Sequence, residues 1–233
     1  MKNSLPVLAT LLCISSPVLA ADGGSFTGNV ALTTDYVFRG ISQSNEEPTI
    51  QGGMDWKDDA TGLYAGVWGS GVDFNDATTE LDFYGGVSGV IDDFSWDLGG
   101  IFYYYPGSDA DLNYDFWELA AAVGYDFNLF QATVSVNYSP DYFGSSGDAW
   151  YPAVNVTVPL PYGLTADAGY AYQWIEKNVA SGTADYGTWS LGLGYDLKGF
   201  NLGLKYSDTD LNEPVECADG CGARVVFTVS RAF

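Results

Sequence analysis

The sequence contains no histidine. A Ser-His or Asp-His hydrolytic centre is therefore excluded, and so is a His-ligated metal site. Basic residues are scarce: Lys and Arg total 8 against 30 Asp and Glu, for a formal net charge of −22. Such a chain repels phosphate-bearing partners, so nucleic acid is not an expected partner, whereas cations are favoured. No uncharged apolar run reaches the roughly 20 residues of a membrane-spanning helix. Asp and Glu pairs suit acid–base work, but no nucleophile, phosphate loop or metal cluster accompanies them. No enzymatic role, cofactor or metal is expected.

What is present is aromatic and glycine-rich, with Tyr 17, Phe 13, Trp 7 and Gly 29. Without long apolar runs, this mixture suits a β-barrel in a membrane. Aromatics gather at the two water–lipid boundaries, and Gly serves where strands bend or pack closely.

The first residues read as an export signal. Met1 and Lys2 are followed by an apolar stretch, Leu5 to Ile14, and then by Val18 and Ala20 in the small-residue pattern of a cleavage site. Residues 1–20 are expected to be a signal peptide, and 21–233 a single domain of about 213 residues. Cys13 follows Leu12 rather than a small residue, which argues against lipidation. Export leads to an oxidising compartment, so Cys217 and Cys221 are expected to form a local disulfide. The alternative, a thiol pair for redox or metal work, lacks supporting ligands.

Period-2 alternation recurs from the start of that domain to Phe233. The first run reads Phe26, Gly28, Val30, Leu32, Thr34, Tyr36, Phe38 on one face, with Asp35 and Arg39 on the other. The second has Ile50 and Met54 against Gln51, Asp55 and Lys57; the third, Leu63 to Gly71, has no clear facing. Later runs set Leu81 and Phe83 against Glu80 and Asp82, Leu98 against Asp97, and Trp117 and Leu119 against Glu118. Further on, Ala166 and Ala168 oppose Asp167, and Leu204 and Tyr206 oppose Lys205.

Connections alternate between long and short. Long polar loops are expected at about 40–47, 73–79, 106–113, 139–148, 176–184 and 208–222. Tight turns are expected at 58–62, 92–93, 126–128, 159–163 and 198–199. The expected fold is an all-β transmembrane antiparallel up-and-down barrel of about 12 strands, with both ends of the chain on the periplasmic side. A soluble lipocalin-like barrel also alternates, but about eight strands are the limit for a core that side chains can fill. At the end of the chain, Val225, Phe227, Val229 and the terminal Phe233 resemble the C-terminal signal read by the outer-membrane assembly machinery. Arg231 departs from that pattern and is expected to snorkel toward the headgroups.

The stretch Gly28 to Ser44 is distinctive, and its strongest part is Asp35-Tyr36-Val37-Phe38-Arg39-Gly40. It resembles the opening of the TorF family of porins. The likeness continues through Pro48 to Gly53, Gly62 to Trp68, Glu80 to Gly86 and Tyr105-Pro106-Gly107. It implies an outer-membrane barrel and a pore, in the outer membrane of a Gram-negative bacterium, but no particular substrate.

The leading functional expectation is passive diffusion of small hydrophilic solutes with a preference for cations. The facing above puts Asp35, Asp55, Glu80, Asp82, Asp97, Glu118 and Asp167 in the lumen against Arg39, Lys57 and Lys205. An excess of carboxylates in a narrow channel favours cations. Each carboxylate can equally be a solvated or salt-bridged lining residue. Arg39 either forms part of a constriction or pins the first strand to a neighbour. The alternative function is a non-conducting surface or binding barrel. In it, acidic loop residues such as Glu46, Glu47, Asp76, Asp109, Asp111, Asp210, Glu213, Glu216 and Asp219 bind divalent cations or lipopolysaccharide. The expected partners are outer-membrane lipids and lipopolysaccharide, the barrel-assembly machinery, and small solutes or cations.

Overall fold

The structure, a computed structural model, describes residues 24–233. The signal peptide expected over 1–20 lies outside the described residues. The strands are β1 (Ser25–Thr33), β2 (Val37–Phe38), β3 (Ile41–Ser42), β4 (Thr49–Lys57), β5 (Leu63–Phe74), β6 (Ala77–Ile91) and β7 (Phe94–Tyr104). They continue as β8 (Phe116–Asp126), β9 (Gln131–Ser139), β10 (Ala149–Pro159), β11 (Leu164–Ile175), β12 (Tyr186–Leu197), β13 (Phe200–Thr209) and β14 (Arg224–Ala232). All but β2 and β3 form one closed, twelve-stranded antiparallel barrel. It is closed by β1 against β14, with Asn29 opposite Ala232 and Thr33 opposite Thr228. The Phe233 N–H then donates to the Gly28 carbonyl (2.9 Å), extending the seam to the last residue.

The facing follows from the pleat. Leu32, Ile50, Met54, Phe83, Leu98, Leu119, Val134, Val154, Leu191, Leu204 and Phe227 are exposed on the outer surface. The inner parity carries Gln51, Ser70, Glu80, Asp82, Asp97, Glu118, Gln173, Thr188 and Ser207, all buried. An apolar exterior around a polar interior inverts the soluble-barrel arrangement and suits contact with lipid. The third run, ambiguous in sequence, resolves with Trp68, Ser70 and Val72 inward. Aromatic pairs mark the rim at the tight turns, with Phe94–Tyr125, Tyr125–Phe127 and Phe127–Phe130 each 4.6 Å between centroids. Arg231 lies over the Phe200 ring (4.9 Å) on the outer surface.

One end of the barrel has tight turns, the other long loops. The turns at 58–62, 92–93, 160–163 and 198–199 fall as expected, and 127–130 joins β8 to β9. In the first of these, Asp58 accepts from the Thr61 hydroxyl (2.6 Å) and the Ala60 N–H (3.0 Å). Those bonds hold its carboxyl below the usual carboxylate range.

Two connections correct the sequence reading. The segment 73–79, expected as a long loop, is a two-residue hairpin at Asn75-Asp76 between β5 and β6. Asn75 takes a positive φ of 50°, which its short polar side chain tolerates in a tight turn. The first strand, expected to run through Phe38, stops at Thr33. The chain then turns inward, and β2 and β3 form a separate two-stranded hairpin.

Candidate functional site

The inward hairpin builds the centre of the molecule. Its two-residue turn is Arg39-Gly40, both with positive φ (49° and 88°). Positive φ at both central positions is the geometry that matches strand twist in a tight hairpin. Gly40 is required twice over. A Cβ there would also stand 2.5 Å from Thr188 Oγ1 and 2.6 Å from Thr209 Cγ2, on the barrel wall. The hairpin tip thus leans on the wall at β13 and β12, two and three strands round the barrel from β1.

Arg39 lies at its tip. The guanidinium pairs with Glu118 on β8 (Nη2–Oε2, 2.6 Å) and donates to Gln173 Oε1 on β11 (2.8 Å). The ring of Tyr151 lies 4.2 Å from the guanidinium carbon, that of Phe38 4.8 Å, and that of Tyr142 5.9 Å. Glu118 also accepts from Asn137 Nδ2 (3.0 Å) and Tyr103 Oη (3.3 Å). Side-chain exposure is 6% for Arg39 and 1% for Glu118, so this is an ion pair removed from bulk water. Such a pair gains little net stability over an apolar core, yet losing one partner leaves an expensive lone charge. It acts as a lock that fixes where the hairpin docks.

Asp35 and Arg39 were expected on one face of the first strand. Instead both lie beyond it, and they face different partners. Asp35 accepts from Ser42 Oγ (2.7 Å), Ser44 Oγ (2.9 Å) and Arg224 Nη1 (3.0 Å), so it ties the hairpin's root to β14. Arg224 also meets Glu46 (3.2 Å). The sequence reading missed Arg224 as a lumen cation, although its parity relative to Val225 and Phe227 points it inward.

An aromatic mass fills the loop end of the lumen around the hairpin. Tyr36, Trp68, Tyr103, Tyr105, Tyr114 and Phe116 are buried together, with Phe38, Phe74, Tyr142 and Phe143 packed against them. Tyr36 meets Trp68 edge-on (5.3 Å), and Tyr114 stacks on Phe143 (4.6 Å). A smaller cluster joins Tyr186, Leu211, Cys217 and Cys221 to Ile41 of the hairpin. Cys217 and Cys221 are disulfide-bonded, which removes the thiol-pair alternative. A Glu213 carboxylate oxygen lies within 4.8 Å of both sulfurs, but a disulfide sulfur is no thiolate ligand. Its Oε1 instead accepts the N–H groups of Cys221 (2.7 Å) and Gly222 (3.0 Å).

The other expected residues lie on the inward parity of their strands. Glu80 accepts from Tyr36 Oη (2.6 Å), Asp97 from Tyr64 Oη (2.9 Å), and Asp55 from the Tyr84 hydroxyl. Tyr64 reaches Asp97 by lying over Gly86 and Gly99, where a Cβ would meet its hydroxyl at 2.5 Å. Lys57 Nζ meets Ser88 Oγ (3.2 Å). Asp167 on β11 and Lys205 on β13 both oppose Gly192 of the strand between them, which places opposite charges in one row. Asp82 Oδ1 is buried without a hydrogen-bond partner among the described residues. The carboxylates Glu80, Asp82, Asp55, Asp97 and Glu118 all belong to the wall from β4 to β8, so the lining is acidic on one side.

Several loop carboxylates serve the loops themselves. Asp76 accepts the Asp109 N–H (2.6 Å), Asp210 the Gly187 N–H (2.8 Å), and Glu216 the Asn212 N–H (3.0 Å).

Residues 19–233 match the family described as "Bacterial protein of unknown function (Gcw_chp)". The chain belongs to the Gcw_chp family. No curated protein sequence matches it. Solved structures give the Gcw_chp chain its architectural kin. The KdgM porin, solved with disordered oligogalacturonate, aligns with a TM-score of 0.60 over 89% of this chain and 99% of its own, at 7% identity. The NanC porin aligns with 0.60 over 88% and 98%, at 10% identity. The Salmonella typhi OmpF, in complex with daunomycin, aligns with 0.53 over 94% and 100%, at 11% identity. At these identities the likeness concerns the fold: this Gcw_chp protein is a porin-like barrel.

Proposed function

We propose that the protein is an outer-membrane channel for small hydrophilic solutes, that it prefers cations, and that the inward hairpin narrows its passage. The observation that carries the reading is a closed barrel with an apolar exterior and an acidic lining. Lumen carboxylates outnumber the lumen cations Arg39, Lys57, Lys205 and Arg224. In a narrow, low-dielectric passage an unbalanced lining lowers the energy of cations relative to anions. The porin-like architecture and the resemblance of the Asp35 to Gly40 block to TorF family porins support the same reading. Lipid and lipopolysaccharide around the apolar belt, and assembly through the signal at Val225, Phe227, Val229 and Phe233, belong with it. The loop end then faces the cell exterior and the tight turns the periplasm.

Protein reconstituted in a planar bilayer under a KCl gradient is expected to show a reversal potential shifted toward that of K⁺. A shift toward that of Cl⁻ overturns the cation preference. A second reading, a non-conducting barrel, is favoured by the aromatic mass and docked hairpin that fill the loop end. Complete absence of current from folded, inserted protein selects it.

A further inference from the structure

The inward residues divide the lumen into two halves. Toward the loop end they are buried, as at Ser70, Glu118, Ser139, Gln173, Thr188 and Thr209. Toward the tight turns the same parity of the same strands opens. Tyr64, Tyr84, Thr133, Thr157 and Ser190 are half-buried there, and Asn155 on β10 is exposed. Asn155 nevertheless faces inward: its Oδ1 lies 2.5 Å from where a Cβ on Gly169, its ladder partner, would stand. An inward side chain of a closed barrel is exposed only if the barrel holds open space beside it. The turn-end half of the lumen is therefore a cup. Its mouth is the ring of tight turns, and it narrows toward the docked hairpin and the aromatic mass.

Two walls of the cup differ in chemistry. On β5 and β6, two tyrosines are laid back along the wall. A Cβ on Gly66 would stand 2.5 Å from Cε2 and Cζ of Tyr84, and one on Gly86 or Gly99 would stand 2.5 Å from the Tyr64 hydroxyl. Glycine at these positions admits the close approach. The hydroxyls are held at their far ends, Tyr64 by Asp97 (2.9 Å) and Tyr84 by Asp55. What the tyrosines turn to the cup is ring surface, which is apolar. On the other side, one row of ladder partners runs Thr133, Asn155, Gly169, Ser190 across β9 to β12. β12 stands six strands round the barrel from β6, directly opposite it. The side chains of this row are short and neutral, and each can donate as well as accept.

The charges of the cup are engaged by their neighbours. Asp55 and Asp97 hold the tyrosines, and Lys57 Nζ meets Ser88 Oγ (3.2 Å). Asp167 leans over Gly192, whose other ladder partner is Lys205. The groups left facing water are hydroxyls, an amide and aromatic rings. A guest with apolar C–H faces and hydroxyls around its edge matches both walls at once.

We propose that the turn-end half of the lumen is a binding cup for an uncharged, polyhydroxylated solute of one or two sugar rings. Tyr64 and Tyr84 are its stacking wall, and Thr133, Asn155 and Ser190 its hydrogen-bonding wall. This names a solute class for the channel reading and rests on that reading for passage, whereas binding in the cup needs no conduction.

The test uses the purified barrel in a detergent without a sugar headgroup, with maltose as the probe and saturation-transfer NMR as the readout. Heat-modifiable gel migration checks the fold. Tyr84→Ala removes a stacking surface and is expected to weaken binding by about threefold to tenfold. Asn155→Ala, at an exposed position that the fold does not depend on, is expected to weaken it by about fivefold. Glucose is expected to displace maltose more readily than glucosamine or glucuronate does. Maltose that fails to bind native protein, or binds native protein and both variants equally, overturns the cup. Charged sugars that displace maltose as well as glucose does overturn its preference for uncharged guests. Binding that the variants weaken, in a protein that passes no current, keeps the cup and overturns the channel reading alone.

Discussion

Arg39 shows how one side chain can organise a lumen. Its guanidinium connects the hairpin tip to β8 and β11 at once, inside a ring of tyrosines. Arg39→Gln leaves Glu118 buried without its cation, which costs about 3–5 kcal/mol of the docked state. The hairpin is therefore expected to undock while the barrel persists. Amide exchange at Phe38 and Ile41 should accelerate by orders of magnitude, with strand amides of β11 to β13 unchanged. Exchange that is unaffected at the hairpin would mean the pair does not hold it. Sequence parity placed Asp55, Lys57, Glu80, Asp82, Asp97, Glu118, Asp167 and Lys205 in the lumen, because the pleat fixes facing wherever a strand continues. Asp35 and Arg39 also point inward, but from the docked hairpin and not from a continuing strand, because alternation persists by coincidence past Thr33, where the strand ends. The Arg-Gly dipeptide between Phe38 and Ile41 was the available signal, since Gly after a residue at positive φ marks a tight hairpin.

At the scale of elements, the long loops are built to pack rather than to float. The loop 210–223 carries the disulfide, buries Leu211, Cys217 and Cys221, and holds the hairpin through the Ser42 N–H to the Gly220 carbonyl (2.8 Å). Closing so small a ring is worth about 2 kcal/mol. Replacing both Cys217 and Cys221 by Ser is expected to speed proteolysis within this loop by about tenfold or more. Equal cleavage rates would show that Glu213 and the packing suffice without the bond. Loop lengths were legible where Gly, Asp and Pro clusters separate the strands. They were not at Asn75-Asp76, where five polar residues in the seven of 73–79 mimic a loop. There β5 and β6 continue above the core, with Ala77 buried and Phe74 packed among the aromatics. Inward docking of the first loop was not readable at all, because it depends on contacts with strands far away in the chain.

For the whole molecule, twelve strands enclose more space than their own inward side chains fill. The chain resolves this with its first loop and a collar of aromatics at one end, leaving the polar, acidic wall toward the other. The barrel itself was the most legible feature, since apolar-out alternation and turn spacing recur in most strand pairs. The occupancy of its centre was the least. The central claim is a water-filled passage that the hairpin restricts, and single-channel recording addresses it directly. Native protein is expected to give small, discrete conductance steps, and Arg39→Gln larger and noisier ones. Folded, inserted protein that gives no steps, or steps of the same size in both, would contradict the account.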